Sequence, residues 1–325
     1  MPQPTPRPTR ARRHESPTSL SDSEPFQSYF DVPVAGGALT VARAGAPPRA
    51  GQPVILVLHG MTSGHMAYRT VARHLCSTSG RICLLAPDLR GRGRSSHLPQ
   101  RGGIAAHIDD MIAVLDHVGA DRAIIVGHSM GCNIAARFGA DHPERTAAVV
   151  LLDGGLPHLS PALAPDGASE DEAPGLLHRL QTTYATVDEY LEYWRSHPAL
   201  KNAWDDDIEA FALTDFVTDD DGVHCVVDLT AVLADIGSLT FDGLTRTSIA
   251  RVQAPVRLMR AERGLYDDEP VIPLKKLEEF LPRHPHVSVE YVPDVNHYTL
   301  LMGGEHGPRR VAATLAELAA EHDLA

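Results

Sequence analysis

The chain reads as an α/β protein: a mostly parallel central sheet flanked by helices, with a further segment inserted between two parts of that sheet. Three observations predict it. Short, wholly apolar runs such as Val54–Leu58 suit strands buried on both faces of a parallel sheet. Segments of helical period alternate with those runs, the pattern of successive βαβ units. The alternation stops after Asp153 and resumes near residue 250.

The elements follow in order. Residues 1–25 carry many Pro, Ser and Thr together with Arg7, Arg10, Arg12 and Arg13 and no apolar block, so a disordered tail is expected rather than a secretory signal. Residues 38–43 read as a strand, Gly51-Gln52-Pro53 as a turn and Val54–Leu58 as a buried strand. A helix over 66–77, a strand over 82–86 and a helix over Ile104–Val118 come next, then a strand at 123–126, a helix at 132–141 and a strand at 147–152. Residues 154–249 show helical segments near 176–184, 187–196 and 208–213 but no strongly apolar strand run, and are expected to form a helical lid. The core then resumes with strands at 256–260 and Val287–Val292 and helices at 274–281 and 309–322. The implied division is a tail over 1–25, a core over 26–153 and 250–325, and the lid over 154–249, with no internal repeat.

With 325 residues, 43% apolar and 22% charged, the chain can bury a large core, and no apolar run approaches the roughly 20 residues that span a bilayer. A soluble, cytoplasmic protein is expected. Cys76, Cys83, Cys132 and Cys225 are scattered without the spacing of a zinc site. The net charge of -13 is concentrated: residues 153–245 hold nineteen acidic residues against Arg179, Arg195 and Lys201. Nucleic acid and anionic membranes are poor partners for such a surface, which favours a neutral or cationic small-molecule substrate. Gly91-x-Gly93 lacks the third glycine of a dinucleotide loop, and Asp219-Asp220-Asp221-Gly222 lacks the alternating spacing of a calcium loop, leaving an acidic turn. Tyr184, Tyr190, Tyr193, Trp194 and Trp204 are candidates for a pocket beneath the lid, although their spacing suits plain helix packing better.

The chemistry is carried by Gly127-His128-Ser129-Met130-Gly131, which falls between a predicted strand and a predicted helix. A G-x-S-x-G pattern there places its serine on a sharp turn above the sheet edge. His59-Gly60-Met61, the loop from Asp88 to Ser95 with its repeated Arg-Gly, and Asp141-His142-Pro143-Glu144-Arg145 fall in the order that resembles the α/β-hydrolase family, over roughly residues 38–153 and 250–320. The resemblance does not extend through the lid. It implies Ser129 as nucleophile, with oxyanion donors from the backbone N–H groups of Met61 and Met130 and support from His59 and His128. Serine is a weak nucleophile and needs a base within hydrogen-bond reach. His297, after the strand Val287–Val292, stands where the chain order Ser, acid, His puts it.

The acid departs from the common pattern. Family members carry it shortly after the strand that follows the lid, in a Gly-x-x-Asp arrangement, but here Gly264 falls at that place. Asp267 or Asp268 would serve in a longer loop and Glu262 in a shorter one. Asp153, ending an apolar run before Gly154-Gly155, is preferred, because some members carry the acid after that earlier strand and ligands gather at this rim of a parallel sheet. The resemblance thus implies cleavage of a carboxylic ester or related acyl bond through an acyl-enzyme, with no metal or organic cofactor. Lactones, thioesters, amides and carbon–carbon bonds yield to the same machinery, and a small-molecule receptor on this scaffold is the non-enzymatic alternative. Epoxide hydrolases and haloalkane dehalogenases resemble the chain less, since they require a carboxylate where Ser129 stands. Oligomeric state is not legible.

Overall fold

A computed structural model of the chain describes residues 24–50, 52–78, 80–99, 102–156 and 177–322. Its strands are β1 (Phe26–Val34), β2 (Gly37–Gly45), β3 (Val54–Leu58), β4 (Cys83–Pro87), β5 (Ala123–His128), β6 (Thr146–Leu152), β7 (Thr183–Tyr184), β8 (Phe216–Asp219), β9 (Gly222–Cys225), β10 (Val256–Ala261) and β11 (Val287–Val292). Its α-helices are α1 (Arg69–Thr78), α2 (Ile104–Val118), α3 (Met130–Asp141), α4 (His178–Gln181), α5 (Val187–Ser196), α6 (Asp206–Leu213), α7 (Leu229–Phe241), α8 (Gly243–Arg246), α9 (Leu274–Phe280) and α10 (His306–Glu321).

The main sheet has the order β1-β2-β4-β3-β5-β6-β10-β11. The run from β4 to β11 is parallel, while β1 and β2 pair antiparallel at one edge. Every residue of β3, β4, β5 and β6 is buried, as the apolar runs demand, because helices cover both faces. Ile55 and Val57 face a cluster with Val71, Leu75, Val311 and Leu315 of α1 and α10. Leu56 and Leu58 face the opposite one, with Met111 and Leu115 of α2 and Ile134 of α3. Alternation along each strand thus feeds two cores, which is why no polar face interrupts the sequence.

Two parts of the chain differ from the sequence reading. Strand β1 was not anticipated; it pairs with β2 through the tight turn at Ala35-Gly36, where Gly36 takes φ 93°, a conformation open to glycine. Most of the expected tail, residues 1–23, lies outside the described residues. Glu24, placed in that tail by composition, is fixed instead, accepting from Arg69 Nε at 3.0 Å.

The segment between β6 and β10 also holds more than helices. Residues 157–176 lie outside the described residues, but the remainder includes a three-stranded antiparallel sheet, β7-β9-β8. Its strands are two to four residues long and half-exposed, too short and polar to leave an apolar run. The acidic tetrapeptide is its hairpin turn, closed by Asp219 Oδ1 accepting from the N–H groups of Asp221 and Gly222. The helix expected over 176–184 shrinks to α4 before the chain enters β7, and α7 went unpredicted.

Buried charges join this segment to the core. Arg92 and Asp235 of α7 are both fully buried and pair at 2.7 Å, and His107 of α2 reaches the same carboxylate at 3.2 Å. Arg179 of α4, itself paired with Asp215 inside the segment, makes a second link through Nη2, which donates to Thr62 O of the core at 2.9 Å; both members of the pair are almost wholly buried. Removing one member of such a pair strands a charge in the interior and costs several kcal/mol. Among the described residues no helix is long and apolar enough to cross a membrane.

Candidate active site

Ser129 sits between β5 and α3 with φ 55° and ψ -119°, a conformation that side-chain-bearing residues rarely adopt. The flanking glycines make the bend possible: a Cβ on Gly127 would overlap the backbone of Gly131, and one on Gly131 would overlap the Leu58 carbonyl. The bend is held from both sides, because Ser129 N–H donates to Leu152 O at 3.1 Å and Ser129 O accepts from Cys132 N at 3.0 Å. Strain of this kind persists only where neighbours over-determine it.

Asp153 directly follows β6 and is wholly buried. Its Oδ2 lies 2.7 Å from His297 Nδ1, and its Oδ1 accepts from Ala261 N at 3.2 Å. A carboxylate at Nδ1 selects the tautomer with the proton on that nitrogen, which leaves Nε2 with a lone pair. The His297 backbone is anchored too, since its carbonyl accepts from His128 Nε2 at 2.9 Å. Burial first, then the neighbouring His297, holds the His128 imidazole well below its ordinary pKa, so it is neutral and that nitrogen is the donor.

The other carboxylates weighed for this place are engaged elsewhere. Asp267 Oδ1 accepts from Arg263 Nε at 2.6 Å and from Asn296 Nδ2 at 2.9 Å. Glu262 accepts from Asp294 N, and Asp268 from Tyr266 N. The structure therefore brings Ser129, His297 and Asp153 to one cavity and leaves Asp267 beside the His297 loop, joined to it through Asn296.

The loop after β3 completes the site. A Cβ on Gly60 would lie 3.4 Å from Ser129 Cβ, so this backbone passes in van der Waals contact with the serine. His59 accepts from Leu89 N at its Nε2, 2.9 Å away, so its proton is on Nδ1, which donates to Gly60 O at 2.8 Å. Because a trans peptide holds its C=O and N–H on opposite sides, this bond also sets the direction of the Met61 N–H. The next two carbonyls are held by arginines: Met61 O accepts from Arg92 Nε, and Thr62 O from Arg179 Nη2, both at 2.9 Å. Sequence reasoning missed both arginines. Arg92 lay inside a quoted landmark without a role; Arg179 was one of three cations in a strongly acidic segment, a signal that could have marked it.

The cavity has a volume of about 260 Å³ and is lined by Ser129, Met61 and His297 from the core and by Tyr193, Trp194 and His197 from the segment after β6. Tyr190, expected among the pocket candidates, instead turns its hydroxyl to the Asp215 carbonyl oxygen at 3.0 Å.

Three buried imidazoles give the fold a pH dependence. Burial pulls His59 and His197 down to about 4, from 6.5, and His128 well below 6.5. Once unfolded they take up protons as pH drops below about 6.5, whereas the folded chain does not until far lower. Their contribution is therefore complete above pH 6.5 and is lost on acidification toward 4, at about 1.4 kcal/mol per pH unit for each fully differential group. Urea midpoints should fall steadily between pH 7 and 5. A flat profile would contradict neutral burial of these rings.

A family model described as the alpha/beta hydrolase fold matches residues 53–192. Lipase LipV of Mycobacterium tuberculosis is 36% identical over 114 residues, 35% of this chain and 39% of that protein. Epoxide hydrolase B of the same organism is 35% identical over 111 residues, 34% of this chain and 31% of that protein. The matched stretches thus span 31% to 39% of these curated relatives. Among solved structures, E-2-(acetamidomethylene)succinate hydrolase is similar with a TM-score of 0.71 and 21% identity, over 90% of this chain and 100% of that one. A putative aryl esterase from Burkholderia cenocepacia gives 0.64 and 19%, over 91% and 99%. At such identities the structural likeness is one of fold.

Proposed function

The chain is an α/β-hydrolase-fold protein, and from that premise we propose that it is a serine hydrolase cleaving a carboxylic ester or a related acyl bond. The observation that carries this reading is Ser129 held in a strained turn at a cavity that it shares with a His297–Asp153 pair. Ser129 attacks the acyl carbon while His297 Nε2 takes its proton, and Asp153 stabilises the imidazolium that forms. The imidazolium then protonates the leaving group, and water hydrolyses the acyl-enzyme by the reverse roles. The backbone N–H groups of Met61 and Met130 receive the developing oxyanion, each worth about 3 kcal/mol of barrier. Likeness to an epoxide hydrolase is read as scaffold alone, because a serine stands at the nucleophile position.

The described part of the segment after β6, which supplies Tyr193, Trp194, His197 and Phe211 to the lining, serves as the lid of this cavity. Among the described lining residues the one charged side chain apart from the histidines is Asp153, already engaged by His297, so the site suits a neutral substrate. Labelling with a fluorophosphonate probe, followed by peptide mapping, tests the reading. One adduct on Ser129 is expected, with turnover of some members of a p-nitrophenyl ester, lactone and thioester panel. An unlabelled, folded protein without turnover would favour a receptor.

A further inference from the structure

We propose that His197 is a specificity determinant of the same cavity, donating a hydrogen bond from Nε2 to an acceptor oxygen on a neutral, compact substrate, remote from the bond being cleaved. The proposal rests on the cavity beside Ser129 being the substrate site. His197 follows α5 and lines the cavity; it is 6% exposed. Its Nδ1 accepts from the backbone N–H of Ala199 at 3.3 Å. An imidazole that accepts at Nδ1 and is neutral carries its proton on Nε2. Burial, and then the nearby Arg179 guanidinium, keep it neutral by pulling it down to about 4.

The ring is fixed as well as its tautomer. It lies nearly parallel to Tyr266, with centroids 5.4 Å apart and 20° between planes, and meets Tyr298 edge-on at 5.2 Å. Tyr193 and Trp194 close two further sides, at 6.3 and 6.1 Å. No residue among those described accepts from Nε2, so its proton is available to whatever fills the cavity. Phe211, Leu239, Val271 and Ile272 add an apolar part to the same lining. A donor set in such a wall discriminates strongly, because a ligand lacking the acceptor leaves the donor desolvated and unpaired. Tyrosine hydroxyls of the surrounding cage can rotate; the imidazole proton cannot.

The test is a binding measurement that does not depend on acyl transfer, so its failure is separable from failure of the hydrolase reading. Acetophenone and α-methylstyrene differ by a carbonyl oxygen in place of a methylene of similar shape. Calorimetric titration of the whole protein should show acetophenone bound about tenfold more tightly. His197→Phe should abolish that ratio while α-methylstyrene affinity stays within about twofold, and Tyr266→Phe should preserve the ratio. A wild type without preference, or a preference that survives His197→Phe or disappears in Tyr266→Phe, overturns the proposal. If His197→Phe loses both ligands, His197→Gln decides: a donor-bearing amide that keeps part of the ratio supports the assignment, and one that loses it while still binding α-methylstyrene refutes it.

Discussion

Replacing Ser129 with alanine is expected to reduce kcat on the best ester by about a million-fold and to leave the fold intact. The magnitude follows from losing the only atom that bonds to the acyl carbon; what remains is the oxyanion site acting on water. Stability should change by less than about 0.5 kcal/mol, because the backbone N–H and C=O of Ser129, not its hydroxyl, hold the turn. Ser129→Gly separates the two roles of the position. With φ 55° and ψ -119°, glycine relieves a strain of about 1 kcal/mol that serine sustains, so this variant should be inactive yet melt higher than the wild type. Thermal melts beside ester kinetics check both. Retained turnover in Ser129→Ala would remove the acyl-enzyme from the mechanism, and a lower melting point for Ser129→Gly would contradict the strained turn.

How much was legible follows from how locally each feature is encoded. The sheet was readable from Val54–Leu58 and its successors because burial on both faces forces an uninterrupted apolar run, and the turn at Ser129 because glycines must flank it. Strand β1 was not, since as the outer strand of the sheet it buries fully just Phe26 and Val32, leaves no apolar run and even contains Pro33. The small sheet beyond β6 depends on pairing between β7 and β9, residues some forty positions apart, with no composition of its own. Asp153 was readable only as a preference among carboxylates, because nothing local distinguishes an aspartate ending a strand from a cap. What distinguishes it is the distance to His297, 144 residues away in sequence. His197 and the two buried arginines stayed silent for the same reason. Their roles arise from what the fold packs against them: a histidine before a proline carries no motif, and the acidic surroundings that single out Arg179 do not name the Thr62 carbonyl that it holds.

The choice of acid yields the second large effect. Asp153→Asn should lower kcat by about 10⁴-fold at neutral pH, whereas Asp267→Asn should cost less than about tenfold. The geometry explains the sharpness of the first. Ala261 N–H donates to Asp153 Oδ1, so in the amide that position is taken by the carbonyl oxygen and the NH₂ is turned toward His297 Nδ1. A donor facing Nδ1 forces the imidazole proton onto Nε2, the nitrogen that must accept from Ser129, and no uncharged path to the alkoxide remains. The Asp267 side chain reaches the His297 loop indirectly, through Arg263, whose Nη2 donates to Asp294 O, and through Asn296, which also donates to Ala199 O at 2.8 Å and accepts from the N–H groups of Tyr298 and Thr299. That loop keeps most of its anchors when the amide replaces Asp267. Steady-state kinetics on both variants, with circular dichroism to verify folding, decide the matter. A collapse of activity in Asp267→Asn with Asp153→Asn nearly unaffected would move the acid to the loop after β10 and leave the 2.7 Å contact to His297 without a catalytic role.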